Sequence, residues 1–274
     1  GAGILFWNGL DNSPLYPANV RGTTIVDSYS GIIIEGATDL ISYEVSVIDN
    51  TITGVGLTTA DDPLTGINVG DGTVGLVARN TVSGFAYDGD IGPGAHSIPF
   101  GILRLSWEFP DALPLRPMTF EDNVLRSNQV HLASFKADDS VVRNNTFDGH
   151  VAFSGTPPRL QTPAGLWFSG AKVQVTGNQF RHLAQAIRLS GGDPFGIATN
   201  SALIDNRFCD VVTNIVTEIG ASSTEQGSLT CPFPDPMLKI LSWPGVEEGF
   251  LVQSAPTPSG PWTVLNAAPI RKNG

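Results

Sequence analysis

The sequence predicts an all-β fold, a solenoid of about seven or eight stacked coils with a small C-terminal β appendage. The main evidence is an asparagine followed two residues later by an apolar residue, and this pattern recurs along the chain. It occurs at Asn50, Asn80, Asn123, Asn145, Asn178 and Asn206. We call each such position, one per coil, a rung, and Asp27 is interpreted as one more rung. The spacing is 22 residues at its shortest and 43 at its longest, as expected when constant coils carry inserted loops.

Composition and local patterning agree with this fold. Charged residues make up only 15% of the chain, whereas Gly (31) and Pro (20) are frequent, which disfavours helical bundles and suits short strands joined by turns. In Val151-Ala152-Phe153 the apolar residues alternate, which is the period of a strand with one buried face. We therefore expect a continuous interior of stacked aliphatic and aromatic side chains.

The six asparagines are interpreted as a structural ladder. Asparagine tolerates a left-handed backbone at a corner, and its amide can hydrogen-bond the next asparagine in a stack. The alternative is a polar strip on the surface, which would require these side chains to face solvent.

This corner, together with the Gly-apolar-x-apolar strand that follows it, resembles the right-handed parallel β-helix repeat family. That family includes pectate lyases, polygalacturonases, alginate and chondroitin lyases, phage tailspikes and many adhesins. The resemblance covers about Ile25 to Cys231 and implies a fold rather than a chemistry. The catalytic signatures of its polygalacturonase, pectate lyase and alginate epimerase members are missing; for example, Gly149-His150 is followed by Val151 rather than glycine.

We expect two regions, a solenoid over 1–231 and a second part over 232–274. Pro232-Phe233-Pro234-Asp235-Pro236 has the composition of a linker. The strand-like runs after it resemble part of an immunoglobulin or fibronectin type III module, which members of the family often carry at this end. Such a module needs about seven strands, so only a part of one is predicted.

Long insertions are predicted where loops could form the walls of a groove. They are Leu57–Thr65, Tyr87–Phe100, Thr156–Ala164, Gly192–Asn200 and, from the other end of its strand, Glu108–Pro117.

Charge and cysteine content restrict the function. A net charge of −11 disfavours nucleic acid and anionic membranes as partners, and no apolar run is long enough for a membrane helix. Cys209 and Cys231 are 22 residues apart, one minimal coil, so they form either a disulfide across neighbouring coils or two buried thiols. A disulfide would indicate an extracellular or periplasmic location. No motif predicts a metal or cofactor, and Ca²⁺ has no motif to support it.

One set of polar side chains is a candidate site. Aligning the strands after each corner places pairs such as Ile67/Val69, Leu103/Leu105, Val130/Leu132 and Leu166/Phe168 inward. The residue between each pair then points outward, in a column formed by Asn68, Arg104, His131, Ala152, Trp167 and Arg188. In this column Arg104, His131, Trp167 and Arg188 could grip an acidic polysaccharide through arginine forks and ring stacking, with Glu108 and Lys136 near its edges.

Three functions remain open at this point. The column could bind a glycan without catalysis, as in an adhesin-like surface protein. The chain could instead be a structural module whose copies stack head to tail into a filament or surface layer, because its first coil has no capping segment. The third possibility is a polysaccharide lyase, with arginine neutralising a uronate and His131 or Lys136 removing a proton before β-elimination.

Overall fold

In a computed structural model the chain is all-β. The structure describes residues 2–7, 17–35, 43–58, 64–70, 73–87, 98–105, 117–149, 164–192, 195–231, 253–254 and 263–264. The first strands are β1 Ala2–Trp7, β2 Ala18–Arg21, β3 Thr24–Ser28, β4 Ser30–Glu35, β5 Tyr43–Ile48, β6 Thr51–Thr58, β7 Thr65–Val69, β8 Thr73–Ala78, β9 Thr81–Tyr87, β10 Phe100–Arg104, β11 Met118–Glu121, β12 Val124–Arg126, β13 Val130–Ser134 and β14 Val141–Arg143. They are followed by β15 Thr146–Asp148, β16 Ala164–Phe168, β17 Gly170–Ala171, β18 Gln174–Thr176, β19 Gln179–Leu189, β20 Gly191–Gly192, β21 Gly196–Thr199, β22 Ser201–Ile204, β23 Arg207–Thr217, β24 Ser223–Gln226, β25 Leu229–Thr230, β26 Gln253–Ser254 and β27 Thr263–Val264.

The strands stack into three parallel faces. The first face runs β2-β5-β8-β11-β14-β18-β22-β24. The second face contains β3, β6, β9, β12 and β15, and the third contains β1, β4, β7, β10, β13 and β16. The eleven-residue strands β19 and β23 pass from the second face to the third, and β25 pairs with the start of β23. The predicted parallel solenoid is therefore confirmed.

The first corner, between the first and second faces, is built from a left-handed residue followed by a buried polar one. The left-handed residues have φ of 52–68° and are Gly22, Asp49, Arg79, Asp122, Asn144, Gly177, Asp205 and Gly227. Each precedes a rung, so the left-handed residue of this corner is the one before the asparagine and not the asparagine itself. Gly, Asp and Asn adopt this conformation most readily, which explains the composition of the corner.

The asparagines themselves form a continuous buried ladder. From Asn80 to Asn206, each side-chain oxygen accepts the backbone and side-chain N–H groups of the preceding asparagine at 2.9–3.1 Å. Each amide also donates to a main-chain carbonyl of the first face, as Asn145 does to Phe120 at 3.0 Å. Asp27 is not a rung, since Thr23 occupies that level and donates its N–H to Asn50 at 2.9 Å. The ladder is structural and its side chains are shielded from solvent.

The interior is filled by aliphatic and aromatic columns. Ile67, Val69, Leu166, Phe168, Ile187 and Leu189 are buried in it, as the alternation predicts. On the second face Phe147, Phe180 and Phe208 stack at successive levels, with ring centroids 4.7 and 5.4 Å apart. These offset stacks add aromatic attraction to the burial of apolar surface.

The chain divides into two compact units, Gly1–Asp235 and Pro236–Gly274. In the second unit, β26 and β27 pair antiparallel, with Gln253 opposite Val264. The resemblance to an immunoglobulin-like module stays a prediction. No helix within the described ranges is long and apolar enough to cross a membrane.

Candidate functional site

The third face carries the candidate site, and its register shows which side chains share a column. Through β4, β7, β10, β13, β16, β19 and β23 the outward position is occupied by Ile33, Asn68, Leu103, Ala133, Trp167, Arg188 and Val216. Asn68, Trp167 and Arg188 are therefore in the predicted column. Arg104 and His131 are not, and Ala152 and Glu108 lie outside the described residues.

Arg104 points into the solenoid. It pairs in register with Ser134 and follows Leu103, which takes the outward position. Its side chain is fully buried and donates from Nη2 to the Thr73 carbonyl at 3.1 Å. Burial lowers the pKa of Arg104 to about 9. The prediction that Arg104 meets a ligand on the surface is wrong, because a slip of one residue moves a strand side chain to the other side of the sheet.

His131 is also an interior residue. Its Nε2 lies 3.0 Å from the Asp148 carbonyl and its Nδ1 3.3 Å from the Ala164 carbonyl, and its ring meets Phe147 edge-on at 6.3 Å. Burial lowers the pKa of His131 below its ordinary value, against weaker opposing effects of those two carbonyls. The ring is thus fully buried between the last residue of β15 and the first residue of β16. It cannot act as the surface base that the lyase alternative requires.

Lys136 lies past the other end of β13 from His131, in a left-handed conformation with φ of 52°. Its backbone N–H donates to Ser169 Oγ at 2.8 Å, and Ser169 Oγ in turn bonds the Phe195 carbonyl. The structure therefore does not bring the two candidate bases together.

The outer side of the third face carries an apolar cluster rather than a polar column. The cluster consists of Phe100, Leu103, Leu105, Val130, Ala133, Phe135 and Trp167, with Ile98 and Phe195 packed against it. Phe195, from the 192–200 insertion, stacks on Phe135 at 4.4 Å and meets Trp167 at 4.8 Å. Sequence reasoning missed this cluster, although the run Phe100-Gly101-Ile102-Leu103 is apolar on both sides of the strand and so indicates burial of both.

Trp167 and Arg188 are the part of the predicted site that stays together. The Arg188 guanidinium lies 4.4 Å from the centroid of the Trp167 ring, a cation–π contact. Arg188 also donates to Glu218 at 2.6 Å, and Glu218 accepts the Gly191 N–H at 2.9 Å. Trp167 is only 3% exposed, so its ring is not available as a stacking platform for a sugar.

The second face presents a polar, solvent-exposed surface that sequence reasoning did not identify. Arg126, Asp148 and Arg181 occupy one outward column on neighbouring strands. Beside it, His182 Nδ1 lies 2.8 Å from the Asp148 carboxylate and His182 Nε2 lies 3.9 Å from Asp210. The alternation around Phe147 and Phe180 was a usable signal, since their sequence neighbours must point outward.

The insertions leave two different corners. Leu57–Thr65, Tyr87–Phe100 and Thr156–Ala164 come between a second-face strand and a third-face strand in the sequence, and most of their residues lie outside the described ones. The 192–200 insertion instead follows the third face, where β20 and β21 pair antiparallel. The prediction that these loops form the walls of a groove falls mainly on residues outside the described ones and stays a prediction.

Cys209 and Cys231 form a disulfide, with their Cα atoms 4.8 Å apart. Cys209 is in β23 and Cys231 directly follows β25, so the bond ties together the last two rungs of the second face. Arg207 Nε lies 3.1 Å from the Cys231 sulfur. Cys209 lies three residues after Asn206, the last asparagine of the ladder, so the disulfide adds a covalent link between coils close to where the ladder ends.

In the part of the chain that the structure describes, no group of three or more His, Cys, Asp or Glu residues is placed to hold a metal ion. A comparison with protein families finds no family that matches this chain. A comparison with curated proteins finds no significant relative either.

Proposed function

We propose that this chain is a noncatalytic structural module of an extracellular or cell-surface protein. The continuous buried asparagine ladder is the observation that carries the proposal. It commits the most regularly repeated polar side chains to hydrogen bonds between coils, leaving them unavailable for chemistry. The disulfide supports an oxidising compartment, since such bonds persist mainly outside the cytosol.

The lyase alternative has less support because its candidate residues are separated. A proton-abstracting base must come within about 3 Å of its substrate. His131 is fully buried between two main-chain carbonyls, and Lys136 lies past the far end of β13. Arg104, proposed to neutralise a uronate, is buried inside the solenoid.

Glycan binding remains a second candidate, on the second face rather than the third. Arg126 and Arg181 are exposed there on either side of Asp148. Their strands lie about 4.8 Å apart per rung, so the two guanidiniums could contact neighbouring carboxylates of an acidic chain.

A panel of uronate-containing polysaccharides tests these functions. The wild-type protein should release no unsaturated, ultraviolet-absorbing products; their appearance would overturn the noncatalytic proposal. If glycans bind, Arg126→Ala and Arg181→Ala should each weaken binding, and added salt should weaken it further. Arg21→Ala is the matched control, because Arg21 is an exposed arginine at the first corner. Equal losses in all three variants would indicate attraction by charge alone.

A further inference from the structure

The Cys209–Cys231 disulfide lies at the outer surface of the second face. Cys209 follows Arg181 in an outward column of that face. Both cysteines are partly exposed, whereas Phe208, which points to the other side of the same strand, is buried. Exposed disulfides are the ones that exchange most readily with other thiols. The position of this bond therefore leaves it open to attack from solution.

An arginine distinguishes the two sulfur atoms. Arg207 Nε donates to the Cys231 sulfur at 3.1 Å. Arg207 is two residues before Cys209 on β23, so its side chain leaves the same side of the strand and reaches the sulfur of the next rung. Within the described residues, no side chain makes a hydrogen bond to the Cys209 sulfur. A neighbouring arginine favours a thiolate, and the sulfur that forms the more stable thiolate leaves a disulfide faster. Cys231 is therefore the better leaving group.

Apart from the disulfide, β25 has few contacts that hold it to the preceding coil. Its two residues, Leu229 and Thr230, are exposed, and Leu229 is 67% exposed. Backbone pairing joins β25 to β23, and Asn214 Nδ2 donates to Thr230 Oγ1 at 3.0 Å. Because the one large apolar side chain of β25 is mostly in solvent, burial of apolar surface contributes little to its attachment. The disulfide is thus the main link between β25 and the coil before it.

We propose that this disulfide is a thiol-exchange site, at which a small-molecule thiol opens the bond and releases β25. The thiolate of that molecule attacks Cys209 Sγ and forms a new S–S bond there. The bond between Cys209 and Cys231 breaks, and its electron pair stays on Cys231 Sγ, which becomes a thiolate beside Arg207. One S–S bond forms and one breaks, so the step needs no oxidant or reductant besides the thiol.

The exchange is reversible by the same chemistry. The Cys231 thiolate can attack Cys209 Sγ again and expel the small thiol, so the thiol concentration sets the fraction of protein in which β25 is released. This inference goes beyond the proposed structural role, which does not depend on it.

Reduced glutathione is the probe for the first test. The disulfide-bonded protein is exposed to it for short times, free thiols are trapped with iodoacetamide, and the peptides are mapped by mass spectrometry. Glutathione should be found on Cys209 and the alkyl group on Cys231. Glutathione mainly on Cys231, or equally on both cysteines, would overturn the assignment of the leaving group. A bond that stays closed in excess glutathione would overturn the site itself.

Replacing the arginine tests the reason for this selectivity. Arg207→Gln should slow opening about threefold, the effect of losing an exposed ion pair, and should make the distribution of glutathione more even. Arg207→Lys should keep most of the rate because it keeps the charge. Arg126→Gln is the matched control, since it removes the same charge from the same outward column, three strands before Cys209. Equal slowing in Arg207→Gln and Arg126→Gln, or no slowing in Arg207→Gln, would refute the role of Arg207.

Hydrogen exchange tests the release of β25. The Leu229 and Cys231 N–H groups donate to the carbonyls of Asn206 and Phe208 at 2.8 and 2.7 Å. Both amides should exchange faster once Cys209 carries glutathione, whereas the Asn145 amide, within the ladder, should not change. Unchanged protection of Leu229 and Cys231 would show that the bond opens without releasing β25, against the proposal. The noncatalytic role is tested separately by the polysaccharide panel, so the two can fail independently.

Discussion

Replacing Asn145 by alanine tests whether the ladder stabilises the coils as the hydrogen bonds indicate. The Asn145 side chain accepts the Asn123 N–H at 3.0 Å and the Asn123 amide at 2.9 Å. It donates to the carbonyls of Phe120 and Arg143 and to Asn178 Oδ1, each at 3.0 Å. Alanine would leave the Asn123 N–H and the Phe120 carbonyl without these partners in a site that water does not reach.

The expected cost follows from those two main-chain groups. Leaving one buried polar group unsatisfied costs about 1–3 kcal/mol. Two such groups, less the desolvation that alanine avoids, give a loss of about 2–4 kcal/mol in the free energy of unfolding. Denaturant unfolding should show this as a lower midpoint. Hydrogen exchange should show faster exchange of the Asn123 amide, because that N–H loses its acceptor.

The adjacent residue provides the control. Asn144 is exposed and left-handed, with φ of 56°, so Asn144→Gly should change the stability by less than about 1 kcal/mol. A loss below about 1 kcal/mol in Asn145→Ala, with no change in exchange at Asn123, would refute the assignment of the ladder as a main source of stability.

Three further outcomes are expected. The Cys209–Cys231 disulfide joins residues 22 apart in the sequence, so its reduction should lower the stability of the last coil by about 3 kcal/mol. Thermal unfolding with and without reductant measures this loss. An unchanged unfolding transition would contradict the prediction. Because burial lowers the pKa of His131 below 6.5, the unfolded chain takes up that proton first on acidification. Stability should therefore be fully retained above about pH 6.5 and should fall below it by up to about 1.4 kcal/mol per pH unit, a component that His131→Gln should remove from the unfolding profile. Trp167→Ala should cost about 3–5 kcal/mol by emptying the outer apolar cluster, and a loss close to zero in calorimetry would show that this cluster is not packed.

The sequence was sufficient to predict the stack because the ladder imposes the same chemistry at every coil. The asparagine amide must donate both to the next asparagine of the ladder and to a main-chain carbonyl of the first face. Few other residues can do this, so asparagine recurs in the sequence at each of these coils. The left-handed position before it was harder to assign. Asp49, Arg79, Asn144 and Gly177 all occupy it, and no single residue type marks it.

The orientation of the third face was predicted wrongly because both sides of several strands are buried. In Phe100–Leu105, both the pair Ile102/Arg104 and the pair Leu103/Leu105 could point inward by composition. Alternation alone chose the second, whereas the register places Ile102 and Arg104 inside. A one-residue slip exchanges the two sides of a strand, and it turned a buried arginine into a candidate ligand contact.

Glycines supply the missing marker of register. A side chain at Gly31 would approach the Gly66 carbonyl to 2.4 Å, and one at Gly66 would approach the Gly101 carbonyl to 2.5 Å. At these levels the column therefore needs small residues, and the residue after each glycine is also inward: Ile32, Ile67 and Ile102.

At the next level the same column is occupied by His131, followed by the inward Leu132. A Cβ at Gly66 would meet the buried side chains of Val82 and Phe85 at 2.4 and 3.0 Å, so this position also faces the interior, and the imidazole of His131 points into the coil. Counting from the glycines would thus have placed His131 in the interior and Trp167, two residues after Gly165, on the outside. The close approach of neighbouring coils, more than the alternation of apolar residues, determines which way each side chain of this face points.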